Sequence, residues 1–304
     1  MLAIIRRWWV WILAVIVLAF GARFASSFPW QDTWESILEA NWGLLGLASA
    51  ANLLSFAAKG VAWHLLLVTM APVRFRSTQA ATFAGAAVNA VSIAVSGEAA
   101  RMHLVTTYDG VPAMAAARSI LASRFVEAAA LGLLLMALGV GGSLWPGWYL
   151  GAAGAVLAIG AILILWRSRL VGSANRSPAG PAGLPLSDLV LPILVAGIAW
   201  LLQWAGYHWA IAATGVPLNP EHSVTAVVLS NIGGLLRLTP GNVGVLQGAV
   251  VLALRPLHVP GSQAVAAGLA LQAVQVFPIL AVGLLLLGRH GLRELLRGSA
   301  TEPV

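Results

Sequence analysis

The chain contains no cysteine, which excludes disulfide bonds, thiolate metal sites and cysteine nucleophiles. Its six histidines show none of the paired spacings that metal-binding helices use, so we expect neither a metal nor another cofactor. Charged residues make up only 9% of the 304 residues, whereas soluble domains carry about 25%. A soluble protein of this length would need more polar side chains to cover its surface. The scarcity of charge excludes a separate aqueous domain.

Hydrophobic residues make up 60% of the chain, and the mean hydropathy is +0.88. A helix needs about 20 apolar residues to cross a bilayer. Six segments meet or approach that length: 8–24, 42–70, 112–140, 147–166, 188–213 and 262–287. The first of these has an alternative interpretation as a cleaved signal peptide. The predicted fold class is all-α, a polytopic membrane helical bundle that forms one domain over residues 1–304.

The net charge of +7 comes from basic residues that mostly flank apolar segments. No basic stretch is interleaved with exposed aromatics, so we expect membrane lipids as partners and no nucleic acid. With six full spans, ten arginines fall on one side, together with the loop 167–187: Arg6, Arg7, Arg74, Arg76, Arg167, Arg169, Arg176, Arg289, Arg293 and Arg297. The positive-inside rule then predicts a protein of the cytoplasmic (inner) membrane with both termini cytoplasmic.

Two further apolar regions are broken near their centres. Residues 78–105 break at the dipeptide Ser96-Gly97, and residues 223–254 break around Pro240. A break at membrane depth is tolerated only where protein or a water-filled cavity surrounds it. Each region is therefore predicted to be a re-entrant helical hairpin that enters and leaves on one side. Two ordinary kinked spans are the alternative.

Both breaks resemble helix starts. Ser96 is predicted to N-cap a helix that begins at Gly97, and Thr239 to N-cap one that begins at Pro240. The N-terminus of a helix presents free N–H groups and the positive end of its dipole. Two such ends at the membrane centre would suit the phosphate of a lipid head group.

The two halves of the chain correspond weakly in sequence. Four pairs of like residues recur at offsets of 142 to 145: His64 with His208, Pro72 with Pro217, Asn89 with Asn231, and Gly97 with Gly241. Under the predicted topology, the helices that precede the two breaks run in opposite directions. This indicates an inverted repeat, about 42–140 and about 188–287, with the binding site where the broken segments meet.

Three segments resemble the motifs of one family. Asn89–Arg101 is similar to its N…GE..R motif, Ser123–Glu127 to its ER..D/E motif, and Leu238–Gln247 to its P.PGG.G..E motif. The family is the lysylphosphatidylglycerol synthase transmembrane family, also called flippase-like, and the resemblance covers about residues 10–290. It implies an embedded helical bundle that moves lipid-linked or aminoacylated head groups between leaflets. Ser123, Asn242 and Gln247 depart from the motifs; the neutral Gln247 cannot pair with a cation as the family's closing carboxylate could.

The candidate substrate-binding residues are polar or ionisable side chains in apolar segments, with the glycine and proline positions at the breaks. They are Lys59, Asn89, Gly97, Glu98, Arg101, Arg124, Glu127, Asn231, Arg237, Pro240 and Gly241. An ionisable residue within a membrane is costly and by default functional. Arg101, Arg124 and Arg237 are expected to grip phosphate bidentately. Glu98 with Arg101, and Arg124 with Glu127, can pair on one helix face; a structural role is the alternative.

Lys59 lies roughly 16 Å from the inner end of its segment, at about 1.5 Å per residue. Its ammonium group cannot easily reach the interface from that depth, so Lys59 is expected to face the bundle interior. Asn89 and Asn231 can hydrogen-bond across the bundle, either as core contacts or as ligands.

These features predict a flippase for lipid or lipid-linked head groups, and not an enzyme. A membrane-embedded lipid or glycan transferase, with Glu98 or Glu127 as general base, is the alternative, and a non-transporting scaffold is a third possibility. No nucleophile constellation, metal set or catalytic pair of carboxylates is recognisable in the sequence.

Overall fold

A computed structural model of the chain describes residues 26, 28–92, 96–138, 154–163, 186–234 and 239–298. Within these ranges all regular secondary structure is helical, which confirms the predicted all-α class. The ten α-helices are α1 Trp30–Leu38, α2 Trp42–Leu67, α3 Phe75–Val91, α4 Ser96–Asp109, α5 Ala113–Leu138, α6 Gly154–Leu163, α7 Leu186–Ala212, α8 Pro220–Gly234, α9 Val245–Leu254 and α10 Gly261–Gly298. Short 3-10 turns occupy Pro240–Asn242 and Arg255–Leu257.

Four of the described helices are long and apolar enough to cross a membrane: Trp42–Leu67, Ala113–Met136, Asp188–Ala212 and Gly261–Leu286. They confirm four of the six predicted spans and make the chain a multi-pass membrane protein. The described part of the fourth predicted segment is the short apolar helix α6. The predicted span 8–24 and residues 167–185 of the predicted loop 167–187 lie outside the described residues.

Helices α2 and α7 pack against each other along their lengths. Gly206 on α7 lies against the backbone of Ala48, and the hydroxyl of Ser55 donates a 2.8 Å hydrogen bond to the carbonyl of Ala199. The contact of Gly206 with Ala48 lies seven residues later on α7, and seven residues earlier on α2, than the contact of Ala199 with Ser55. The two helices are therefore antiparallel. Small side chains at both contacts allow the backbones to approach closely.

The first broken segment folds back on itself as a pair of helices, α3 and α4, called hairpin 1. At its base the guanidinium Nε of Arg74 lies 2.6 Å from a carboxylate oxygen of Asp109, which joins the start of α3 to the end of α4. Nearer the break between the two helices, Gly85 on α3 lies against Gly97 and Arg101 on α4. The two helices are therefore antiparallel neighbours.

The second broken segment also forms a helix pair, α8 and α9 with the turn Pro240–Asn242 between them, called hairpin 2. Gly233 of α8 lies against Val245 of α9. At the tip, Gly241 has a φ of +59° and sits so close to α3 that a Cβ would lie 2.7 Å from the carbonyl oxygen of Ala90. Only glycine fits this position, and the tips of the two hairpins touch there.

Helices α2 and α7 form a central pair, and the two hairpins are attached to its opposite ends. Hairpin 1 follows the C-terminal end of α2 at Leu67, and hairpin 2 follows the C-terminal end of α7 at Ala212. The next residue, Ala213, accepts a 2.8 Å hydrogen bond from the backbone N–H of Asn41, which N-caps α2. The bases of the hairpins thus lie at opposite ends of α2, and their tips meet between them.

The predicted N-caps need correction. Helix α4 begins at Ser96 itself. Thr239 does not cap a helix: its hydroxyl donates a 2.7 Å bond to the carbonyl of Val243. Gly241 and Asn242 have φ values of +59° and +57°, and this left-handed backbone stops a helix from continuing out of Pro240. Helix α9 therefore starts later, at Val245.

The close packing inside hairpin 1 predicts that Gly85→Ala destabilises the protein. A Cβ at this position would lie 2.5 Å from Cγ of Arg101 and 2.6 Å from the carbonyl oxygen of Gly97. Overpacking of this kind costs about 1–3 kcal/mol, so Tm in detergent, measured by tryptophan fluorescence, should fall. Gly46→Ala is the control, because Gly46 is exposed on α2 and its Cβ meets open space. Equal Tm values for the two variants would contradict the hairpin packing.

Candidate functional site

A cavity of about 840 Å³ lies where the tips of the two hairpins meet beside the central helices. Eight of the eleven candidate residues line it: Lys59, Asn89, Glu98, Arg101, Arg124, Glu127, Asn231 and Gly241. Gly97 packs behind it against Gly85, and Pro240 lies in the turn at the tip of hairpin 2. Arg237 lies outside the described residues. The fold thus brings together residues that are far apart in the sequence. The most distant of these candidates, Lys59 and Gly241, are 182 positions apart.

Arg124 is held between two carboxylates on the cavity wall. Its Nη2 donates to Glu98 on α4 at 2.5 Å, and its Nη1 donates to Glu127, one turn along α5, at 3.1 Å. The predicted pair of Arg124 with Glu127 is present. The predicted pair of Glu98 with Arg101 is wrong, because Glu98 reaches across to α5 while Arg101 turns towards α2. Both cavity carboxylates thus share one guanidinium.

Arg101 is buried, with 8% of its surface exposed, and its guanidinium carbon lies 4.1 Å from the ring centroid of Trp63. The Trp63 ring is fixed by a 3.0 Å hydrogen bond from its Nε1 to Ser119. Within the described part of the chain Arg101 has no carboxylate within 4.0 Å, and its Nε is buried without a hydrogen-bond partner. A cation–π contact offsets only part of the cost of burying this charge, so Arg101 retains capacity to bind an anion.

Lys59 is placed on the same cavity wall, from the middle of α2. Its ammonium donates a 2.7 Å hydrogen bond to Oε1 of Gln203 on α7 and lies 5.2 Å from the ring centroids of both Phe56 and Trp200. No carboxylate of the described residues lies within 4.0 Å of it. Lys59 is thus a second cation with neutral partners only.

The charges of the cavity lining do not cancel. Three cations, Lys59, Arg101 and Arg124, face two carboxylates, Glu98 and Glu127, which leaves one net positive charge among the described lining residues. Arg124 binds both carboxylates, which leaves Arg101 and Lys59 as the cations without a carboxylate contact among the described residues. In a partly buried cavity a net positive charge attracts an anion.

Side-chain amides satisfy the backbone groups that the breaks leave free. Oδ1 of Asn89 accepts a 2.9 Å hydrogen bond from the N–H of Gly97, and Nε2 of Gln272 donates a 2.6 Å bond to the carbonyl of Gly241. These contacts give Asn89 a structural role as a cap. Gln272 was missed by sequence reasoning, as were Gln203 and Trp63; an amide or a tryptophan in the middle of an apolar segment is the only signal that pointed to them.

The acidic groups of the site bear on the chemistry that it can perform. Among the described residues no group of three or more His, Cys, Asp or Glu side chains is placed to hold a metal ion. The two carboxylates that line the cavity, Glu98 and Glu127, are both bound to a guanidinium. A general base must reach the proton it removes, and a carboxylate held by arginine is a weak base.

Comparison with known proteins identifies a family. The family model for the lysylphosphatidylglycerol synthase TM region matches residues 9–283, which is nearly the whole chain. No curated protein matches the chain.

The different partners of the two arginines predict different effects on stability. Arg124→Met leaves two carboxylates without their cation and should destabilise the protein by about 2 kcal/mol, less than for a fully buried pair because 43% of the side chain is exposed. Arg101→Met removes a charge that no carboxylate balances, and should change the free energy of unfolding by less than about 1 kcal/mol. Tm in detergent, measured for both variants, checks this. A larger loss for Arg101→Met would show that Arg101 has a structural role.

Proposed function

The chain belongs to the lysylphosphatidylglycerol synthase transmembrane family, and we propose that it is a flippase that moves phosphate-bearing lipid head groups across the cytoplasmic membrane. The central cavity receives the head group, and the acyl chains stay in the surrounding bilayer. The proposal includes cytoplasmic termini, which the distribution of arginines supports. It also includes the absence of a chemical step.

The observation that carries the proposal is the unbalanced Arg101. A buried guanidinium with an unpartnered Nε, on the wall of a cavity, is costly to keep unless a ligand binds it. A phosphate accepts hydrogen bonds from a guanidinium in a forked geometry and compensates the charge. Lys59 on the same wall supplies a second positive charge for the same phosphate.

The geometry of the hairpins supports a path from each side of the membrane. In the proposal both hairpins are re-entrant, hairpin 1 from the cytoplasmic face and hairpin 2 from the opposite face. The contact of Arg74 with Asp109 supports this for hairpin 1, because it holds both ends of the broken segment together. The contact of Gly241 with Ala90 brings the tips together at the cavity. A break at membrane depth is tolerated in such a protein-lined position.

Two contacts between the central helices support the inverted repeat. Ser55 touches Ala199, and Lys59 touches Gln203, and in each pair the residues are 144 positions apart. When two equivalent helices run antiparallel around a two-fold axis, equivalent residues meet where the helices cross. Equivalent residues of α2 and α7 meet in this way, and the side chains of Ser55 and Ala199 at the contact are small.

A second contact recurs in both halves, at offsets of 144 for the histidines and 145 for their hydroxyl partners. His64 lies 3.0 Å from the hydroxyl of Thr78, and His208 lies 3.2 Å from the hydroxyl of Ser223. Each pair ties a central helix to the first helix of the hairpin that follows it. We propose that rocking of the two repeats, about 42–140 and about 188–287, exposes the cavity to each leaflet in turn.

The proposal predicts that Arg101→Met and Lys59→Met slow lipid movement. Each variant removes a charged donor to phosphate, so the rate should fall at least about tenfold. The measurement uses proteoliposomes that contain phosphatidylglycerol labelled on an acyl chain, with an impermeant quencher outside. Arg118→Met is the matched control, because Arg118 is exposed on α5 and does not line the cavity; its rate should stay unchanged.

Unchanged rates in both cavity variants would remove the phosphate site. Mass spectrometry of the same vesicles tests the absence of chemistry: the lipids should be identical before and after incubation. A new lipid product formed by the purified protein would instead support a transferase.

A further inference from the structure

The cavity has two halves of different chemistry. All five of its described charged side chains belong to residues 59–127. The described lining residues beyond position 200 carry no charge, and seven of them have amide or hydroxyl groups: Gln203, Tyr207, Ser230, Asn231, Thr239, Asn242 and Gln275. The site is therefore a charged wall that faces a wall of neutral hydrogen-bonding groups.

The two halves of the proposed repeat therefore differ from each other at the site itself. At an offset of 144, Lys59 corresponds to Gln203 and Glu98 corresponds to Asn242. In both pairs a charged side chain in the first half is replaced by an amide in the second, and all four residues line the cavity. The two walls thus occupy equivalent places in the fold but recognise different chemical groups.

The charged wall offers no free carboxylate to a cationic head group. Glu98 and Glu127 are both bound by Arg124, while Arg101 and Lys59 have no carboxylate partner among the described residues. An ammonium group that entered the cavity would therefore meet the net positive charge of the described lining, and repulsion of this kind is an effective means of rejecting a ligand. Gln247 does not supply the missing carboxylate: it is neutral, and its Oε1 accepts a 2.7 Å bond from the N–H of Gly244.

The neutral wall suits a head group that carries hydroxyls. Amides and hydroxyls both donate and accept hydrogen bonds, which is what a sugar or polyol requires. A site built for hydroxyl groups rejects analogues that lack them, because its polar groups are then left unpaired. The cavity of about 840 Å³ has the size of a small-molecule site, typically about 300–1,000 Å³, and can hold a phosphate together with such a group.

We infer that the substrate is a lipid with a single negative phosphodiester and an uncharged, hydroxyl-rich head group, and that aminoacylated, cationic lipids are excluded. The inference rests on the proposed function and assigns a substrate class to the same cavity. Arg101 and Lys59 hold the phosphate, and the amides of the opposite wall hold the head group.

Three short-chain lipids test this by equilibrium binding to the purified full-length protein in detergent. Phosphatidylglycerol carries one negative charge and hydroxyls, phosphatidylmethanol carries the same charge without hydroxyls, and lysylphosphatidylglycerol carries a net positive charge. Phosphatidylglycerol should bind at least about tenfold more tightly than either of the others, the effect of one or two lost hydrogen bonds to a polar site. Equal binding of the lysyl form would overturn the charge selection, and equal binding of phosphatidylmethanol would overturn the role of the neutral wall.

Asn231→Ala tests the role of the neutral wall independently of the charged wall. Among the described residues, Nδ2 of Asn231 bonds within its own helix, to the carbonyl of Val227 at 2.8 Å, so its removal should leave the fold intact. Phosphatidylglycerol should then bind as weakly as phosphatidylmethanol, whose affinity should not change. Asn219→Ala is the matched control, since Asn219 is exposed outside the cavity and should leave all three affinities unchanged. Weaker binding of both anionic lipids to Asn231→Ala would contradict the division of labour between the walls.

The same lipids, labelled on an acyl chain in proteoliposomes, separate a failure of this inference from a failure of the proposed function. If binding is selective but no lipid crosses the membrane, the flippase proposal fails and the ligand class stands. If lipids cross without preference for the head group, the proposed function stands and the ligand class fails.

Discussion

Inside a bilayer, a backbone N–H or C=O that a helix break sets free has no water to bind and must find a partner within the protein. In this chain side-chain amides provide those partners: Asn89 binds the N–H of Gly97, and Gln272 binds the carbonyl of Gly241. Because Gln272 belongs to α10, the tip of hairpin 2 is fixed to the bundle. The cavity forms where the two satisfied breaks meet, and its position follows from this requirement.

The charges of the cavity follow a second constraint. A buried carboxylate needs a cation, and Arg124 serves both Glu98 and Glu127. Among the described residues this arrangement leaves Arg101 and Lys59 with aromatic and amide contacts and no carboxylate within 4.0 Å. Because Arg124 binds both carboxylates, Arg101 and Lys59 remain able to bind an anion. The proposed transport depends on this capacity. The opposite wall, with Asn231 and its neutral neighbours, adds hydrogen-bonding groups without changing this charge.

The sequence alone was enough to predict what depends on composition and local chain chemistry. Long apolar runs predict the membrane class and four spans, and the breaks at Ser96-Gly97 and Pro240 are visible from glycine and proline. The contacts that depend on which helices face each other were not predictable. Glu98 was paired with the wrong arginine because its true partner comes from α5, and Gln272 was overlooked because its role exists only beside the tip of hairpin 2. Thr239 failed as a cap because two left-handed residues follow Pro240.

The most direct measurement is the sidedness of the hairpin bases, which the absence of cysteine makes simple. Single cysteines at Arg76 and Thr107 mark hairpin 1, and single cysteines at Glu221 and His258 mark hairpin 2; all four positions are exposed. An impermeant maleimide should label both marks of hairpin 1 from the cytoplasmic face, and both marks of hairpin 2 from the opposite face. If the two marks of either hairpin are labelled from different faces, that segment crosses the membrane, and the account of two hairpins that meet at a central site is wrong.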